Sequence, residues 1–298
     1  MNNIYKKKIK KRIKKLNVCV FPFKSKITKD YSPKNAAEIH DNSLIWLCKT
    51  NKISEKFFRN NIISKLGIKK DSKILIVGAG AGNDIPFIKK KIGTKGKIYA
   101  QDISEPMILE AAKRYNFKNN SKINFSVSDA CDLPYQDKMF DITFHFGGIN
   151  LFSNIKKGIN EMSRVTKLNG TIMFGDEGIG EWLRSTTNSK ALINNNSLYS
   201  FRPPISYLPL NSKNVTIEWV LNNTFYIVKF KRGEEDWSID RNVEHKGIRG
   251  GSIKTRYFGK LEGINPILKN KFYKKIKMQN KSRVSVIEKI INDYLQKT

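Results

Sequence analysis

The chain has 298 residues, 39% of them apolar and 28% charged, with a formal net charge of +30. That length allows one large domain or two small ones and a sizeable core. No apolar run reaches the ~18–20 residues a membrane-spanning helix needs, so no transmembrane segment is expected. Three widely spaced cysteines, Cys19, Cys48 and Cys131, argue against a disulfide framework or a cysteine metal cluster and suit a reducing, cytoplasmic setting. The positive charge is mostly lysine, 45 Lys against 11 Arg. It invites a nucleic-acid partner, yet a phosphate-binding face would lean more on the arginine fork. Lysine with abundant Asn and Ile fits compositional drift better.

Residues 1–16 carry eight basic residues from Lys6 to Lys15, with Ile9, Ile13 and Leu16 on one helical face. They read as a frayed terminus or as a basic amphipathic helix for an anionic membrane or RNA. Val18-Cys-Val-Phe21, ended by Pro22, is too short for a signal-peptide core. Residues 34–66 read as helices, with stripes Leu44 to Leu47 and Phe57, Phe58, Ile62, Ile63 and Leu66. A regular alternation then begins, with strands at 73–77, 97–102, 123–127, 141–146 and 171–174 and helices near 83–91, 104–115 and 154–166. Strands alternating with helices give a parallel, doubly wound sheet. Residues 182–212 read as loop with a short helix after Glu181. Runs 215–220 and 224–230 flank Leu221-Asn222-Asn223 as an antiparallel hairpin. A strand at 253–258 and helices at 265–276 and 283–296 follow. That last stretch is faintly similar to a ribbon–helix–helix module, but it reads more plainly as a helical hairpin or a dimer contact.

The chemistry gathers at Ile74-Leu-Ile-Val-Gly78-Ala79-Gly80-Ala-Gly82-Asn83. Strand, glycine turn and helix bring backbone close to a ligand and aim free N–H groups at it. Asn83 stands where a dinucleotide fingerprint has its last glycine. This G-x-G-x-G turn resembles the first motif of the Rossmann-like class I S-adenosylmethionine-dependent methyltransferases. Ile76 departs from the family, which often has an acid there. Asp102, at the end of the second strand, is placed to accept from both ribose hydroxyls, with Ile103 and Met107 packing on the nucleoside. Ser128-Asp129-Ala130-Cys131-Asp132-Leu133-Pro134-Tyr135, with Phe140-Asp141 after it, resembles a second block of that family. There the acid that matches Asp129 reaches the adenine amino group, and the N–H of Ala130 serves a ring nitrogen. Glu161 to Gly170 resembles the family's helix into strand five.

The resemblance covers about residues 55–232. It is closest to the small-molecule subgroup containing the ubiquinone/menaquinone C-methylating enzymes. It implies an α/β fold with a doubly wound, mostly parallel seven-stranded sheet and a C-terminal antiparallel hairpin, with helices before it and a helical extension after it. The expected divisions are a basic segment 1–33, a methyltransferase domain 34–232 and an extension 233–298. The cofactor implied is S-adenosyl-L-methionine, held by Gly78, Ala79, Gly80, Gly82, Asn83, Asp102, Ile103, Met107, Asp129, Ala130, Cys131, His145, Phe146 and Gly147. His145 is equally readable as a base or as a buried structural histidine. Glu177, beside Asp176, is a second catalytic candidate. Tyr31, His40, Asn150 and Trp182 are the substrate-pocket candidates, and no metal is expected. The absence of an Asn/Asp-Pro-Pro-aromatic motif disfavours DNA amino methylation. The absence of a Pro-Cys pair after strand four disfavours cytosine C5 chemistry, and the cysteine positions disfavour a thiol mechanism. The expected reaction is methyl transfer to a small molecule. RNA or protein methylation through the lysine-rich ends, and a non-catalytic cofactor-binding regulator, are the alternatives. A homodimer is left open.

Overall fold

The computed structural model describes residues 4–25, 33–115, 123–244, 246, 252–254 and 264–297. The chain divides into two units, Met1–Trp237 and Ser238–Thr298. The first begins with short strands β1 (Lys11–Ile13) and β2 (Val18–Val20) and helices α1 (Ala36–Thr50) and α2 (Glu55–Ser64). There follow β3 (Lys73–Val77), α3 (Ile85–Lys89), β4 (Lys97–Asp102), α4 (Glu105–Tyr115) and β5 (Ile123–Val127). Then come β6 (Phe140–Phe146), α5 (Ile155–Val165), β7 (Thr166–Glu177), α6 (Thr187–Asn195), β8 (Ser212–Val220) and β9 (Phe225–Arg232). Among the described residues, these nine strands join one sheet in the order β1-β2-β5-β4-β3-β6-β7-β9-β8. The pairs from β2 to β7 are parallel, and β1, β9 and β8 are antiparallel to their neighbours.

The central strands are apolar throughout because both faces are covered. Successive side chains of β3 alternate between the faces. Ile74 and Ile76 join Phe58, Ile62, Ile63 and Ile108 on the side of α2 and α4. Leu75 and Val77 join Ile159, Met162 and Val165 on the side of α5. Each such side chain contributes roughly 1.5–3 kcal/mol by leaving water. Ile76 is 1% exposed, so the position where the family often has an acid is core here. Strand order reverses between β3 and β6, and a crevice opens at the carboxyl ends of strands at such a switch point.

Several expectations are corrected. Among the described residues, the lysine-rich segment 4–16 is neither frayed nor an amphipathic helix. Val18, Cys19 and Val20 are buried, β2 pairs with β5, and the Phe21 N–H bonds Val127 O at 2.9 Å. Tyr5 packs on Phe21 and on Tyr135, with ring centroids 4.9 and 5.7 Å apart. Burial of these few apolar residues outweighs the charge around them, whose lysine heads stay in water. This segment raises the sheet from the expected seven strands to nine. Helix α3 is shorter than 83–91 because the glycine turn runs on to Asp84. The short helix expected after Glu181 is present as α6, begun by Thr186, whose hydroxyl accepts from Ser189 N at 3.2 Å. In the hairpin, Leu221, Asn222 and Asn223 all have positive φ, one residue more than a tight pair. In the second unit, Ile253 and Lys254 are helical rather than the start of a strand, and residues 255–258 lie outside the described residues. That unit ends in helices α7 (Pro266–Met278) and α8 (Arg283–Leu295).

Candidate functional site

The turn after β3 needs glycine for two separate reasons. Gly78 has φ +62°, and a Cβ there would lie 2.9 Å from the His145 ring. Gly80 has φ +55°, and its Cβ would press on Met107 Cε at 3.2 Å. Backbone bonds then lock the turn to β4. Ala79 N donates to Gln101 O at 2.8 Å, and Gly80 N donates to Asp102 Oδ2 at 2.8 Å. The other Asp102 oxygen accepts from Ser104 N at 2.8 Å. Burial pushes the Asp102 pKa up, opposed by these two N–H groups. Within β4, Gln101 Nε2 donates to Ser128 O at 2.5 Å and so ties this strand to the end of β5.

Asp129, just past β5, accepts from Cys131 N at 2.8 Å through Oδ1. Its Oδ2 accepts from the Ser25 hydroxyl. At the end of β6, His145 is 1% exposed. Its Nδ1 lies 2.8 Å from Val77 O, which fixes the tautomer with the proton on Nδ1. Nε2 is then an unprotonated acceptor, buried and without a partner among the described residues. Burial holds the His145 pKa below its ordinary value against the pull of Asp176 and Asp102. Glu177 moves the other way: burial first, then Asp176, raises its pKa well above the usual carboxylate value. Asp176 is fully buried and accepts from Gly148 N and Asn150 N at 2.8 and 2.7 Å, so it braces the loop after β6.

Gly78, Gly80, Asp102, Asp129, His145 and Glu177 line one cleft of about 290 Å³. Of the residues singled out in sequence, Gly78, Ala79, Gly80, Asn83, Asp102 and Ile103 line it. So do Met107, Asp129, Ala130, His145, Phe146 and Gly147, and further along it His40 and Glu177. Gly82, Cys131, Asn150 and Trp182 do not line it. Cys131 Sγ reaches Asn154 O at 3.3 Å instead. Asn150 Nδ2 donates to Glu177 O at 3.1 Å. Trp182 packs edge-on against Trp219, centroids 5.9 Å apart. Tyr31 lies outside the described residues.

Other lining residues fall in the stretches 20–60 and 177–212, where sequence reasoning expected the substrate pocket, but were not singled out individually. Ser25, Trp46, Arg59 and Tyr199 all face the cleft. Arg59 is the traceable one, because a charged residue on the apolar stripe of α2 had to have partners. Its Nε meets Glu55 at 2.7 Å and its Nη1 meets Asp84 at 2.6 Å. Burial disfavours its charge, and the two carboxylates more than offset that, so its pKa rises. Away from the glycine turn the wall is apolar and aromatic, with Leu44, Trp46, Phe58, Phe146, Phe152 and Tyr199. Phe146 stacks on Phe225 with centroids 5.7 Å apart. Among the described residues no cluster of His, Cys, Asp and Glu could hold a metal, and no helix is long and apolar enough to cross a membrane.

A family model described as "Methyltransferase domain" matches residues 68–229. The chain is 33% identical over 116 residues to the demethylmenaquinone methyltransferase of Staphylococcus carnosus, covering 39% of this chain and 47% of that protein. It thus spans about half the length of the curated relatives it matches. Two solved structures share the fold. One is phosphoethanolamine N-methyltransferase 2 of Haemonchus contortus in complex with S-adenosyl-L-methionine, with TM-score 0.54 and 13% identity over 72% of this chain and 62% of that one. The other is described as an S-adenosyl-L-methionine-dependent methyltransferase of Methanococcus maripaludis, with TM-score 0.52 and 19% identity over 72% and 99%.

Proposed function

This chain belongs to the methyltransferase domain family, and on that footing we propose that it moves a methyl group from S-adenosylmethionine to a small, largely apolar acceptor. The observation that carries this reading is the convergence of the glycine turn, Asp102 and Asp129 on one cleft. The residues present fit the cofactor. Two carboxylates stand at neighbouring strand ends, the glycine turn lines the cleft, and the buried His145 Nε2 is without a partner among the described residues.

S-adenosylmethionine, when bound, supplies an electrophilic methyl on a sulfonium. Asp102 holds the ribose hydroxyls with the lone pairs its two N–H partners leave free. Asp129 accepts from the purine amino group. Arg59, kept charged, faces the cleft from α2 and suits the amino-acid end. His145 offers a fixed acceptor and holds no proton on Nε2. Glu177, whose pKa burial and Asp176 raise, disfavours negative charge at the acceptor end of the cleft. The aromatic wall excludes water and orients a flat, apolar molecule. The relatives named for demethylmenaquinone support an acceptor of the quinone kind. Positioning of this sort is worth up to about 7–11 kcal/mol in a displacement.

The experiment is transfer of a radiolabelled methyl group from the cofactor into a cell extract by the purified protein. Label in the organic-extractable small-molecule fraction is expected. Label confined to RNA or protein, or no transfer, contradicts the reading.

A further inference from the structure

The N-terminal segment reaches the cleft. Its strands β1 and β2 extend the sheet beyond β5. The segment is also bound to the loop after β5. Lys6 N donates to Pro134 O at 2.7 Å, and Lys7 pairs with Asp132. The chain then passes Phe21 and delivers Ser25 to the cleft wall. The Ser25 hydroxyl donates to Asp129 Oδ2, while Cys131 N holds Oδ1 at 2.8 Å. Ser25 Oγ also lies 3.3 Å from Ser153 Oγ, which in turn is 3.4 Å from Cys131 Sγ.

We propose that Ser25 is a positioning residue for purine recognition: its hydroxyl fixes the Asp129 carboxylate in the orientation that distinguishes a 6-amino from a 6-oxo purine. The inference rests on the reading that Asp129 faces the purine. A carboxylate accepts and does not donate, so it favours an amino group and repels a ring carbonyl at the same place. Discrimination needs the oxygens to be held in place. One donor alone leaves the carboxylate free to swing about that bond. Two donors on separate segments, one on each oxygen, fix its plane. Hydrogen bonds to an ionised acceptor are the stronger kind, and a group held in place before binding loses less freedom when the ligand arrives. The sheet edge built by residues 4–25 therefore serves the site as well as the fold.

The test measures affinity of the full chain for S-adenosylhomocysteine and for its 6-oxo analogue, S-inosylhomocysteine, by titration calorimetry. The readout is the ratio of the two dissociation constants, which a change in folded fraction does not move. The unaltered protein is expected to prefer the 6-amino compound by at least about tenfold. Ser25→Ala is expected to reduce that ratio several-fold, and Ser25→Thr, which keeps the hydroxyl, to preserve it. Equal weakening of both ligands in Ser25→Ala, or an unchanged ratio, would overturn the proposal and leave the function standing. A ratio near one in the unaltered protein would remove the Asp129 assignment and this inference with it. Binding of neither compound would overturn the functional reading itself.

Discussion

Gly80 N donates to Asp102 Oδ2 at 2.8 Å, so the turn after β3 and the end of β4 are one unit. The carboxylate proposed to hold the ribose is also what shapes the turn after β3.

Replacing Asp102 therefore has two effects that can be separated. Asp102→Ala leaves the N–H groups of Gly80 and Ser104 without their acceptor, which costs about 1–3 kcal/mol of stability. It is also expected to weaken S-adenosylhomocysteine binding by an order of magnitude or more. Asp102→Asn keeps one acceptor oxygen and is expected to recover part of the stability but little of the affinity. Denaturant titration and calorimetry on both variants check this. Unchanged affinity in either would end the ribose assignment.

His145 makes stability depend on pH. Burial holds its pKa below the ordinary 6.5 in the folded chain. The unfolded chain takes up a proton as pH falls through 6.5, and the folded one does not. Stability is therefore expected to fall as pH drops from 6.5 toward the lower folded value. His40, also lowered chiefly by burial, adds to the trend. His145→Gln, which can still donate to Val77 O, is expected to show a shallower loss in urea midpoints between about pH 7.5 and 5.5. Equal slopes would place the titration elsewhere.

Glu177 acts with the opposite pH dependence. Its pKa is raised above the ordinary 4.5 by burial and by Asp176. As pH rises through 4.5 the unfolded chain ionises this group and the folded chain does not, so stability is lost toward neutral pH. Glu177→Gln removes that loss. The variant is expected to gain stability over the parent as pH rises from about 4 to 7 while still binding S-adenosylhomocysteine. A stability difference that stays flat with pH would show an ionised Glu177 in the fold.

Trp46, 47% exposed, stands in the apolar wall rather than in the core. Trp46→Ala is expected to leave the melting temperature and S-adenosylhomocysteine affinity nearly unchanged. Labelled-methyl transfer to the small-molecule fraction is expected to fall roughly tenfold, about 1.4 kcal/mol. A drop in cofactor affinity instead would move this wall to the cofactor side.

The parts of the site legible in the sequence are those that carry a local pattern. Gly78-x-Gly80, Asp102 at a strand end and the block around Asp129 announce themselves because the chemistry fixes their spacing. The strands β3 to β7 are legible for the same reason: each is an apolar run between turn residues. Strand β2 is not, because Val18-Cys19-Val20 becomes a strand only by pairing with β5, over a hundred residues later. Helix α6 is the short helix expected after Glu181, and the Thr186 cap sets its start. Ser25 has no signal of its own; it matters only because β2 brings it to Asp129. Trp182 and Asn150 failed to reach the cleft for a related reason. Nothing in a sequence says which way a side chain leaves its loop; Trp182 packs on Trp219, and the Asn150 amide donates to the Glu177 carbonyl.

The most direct measurement is calorimetric titration of the purified chain with S-adenosylhomocysteine, run beside a nicotinamide dinucleotide. One saturable site for the thioether nucleoside, and none for the dinucleotide, is the result expected of a cleft built from the glycine turn, Asp102 and Asp129. Silence toward the thioether nucleoside with tight binding of the dinucleotide would contradict the account at its base.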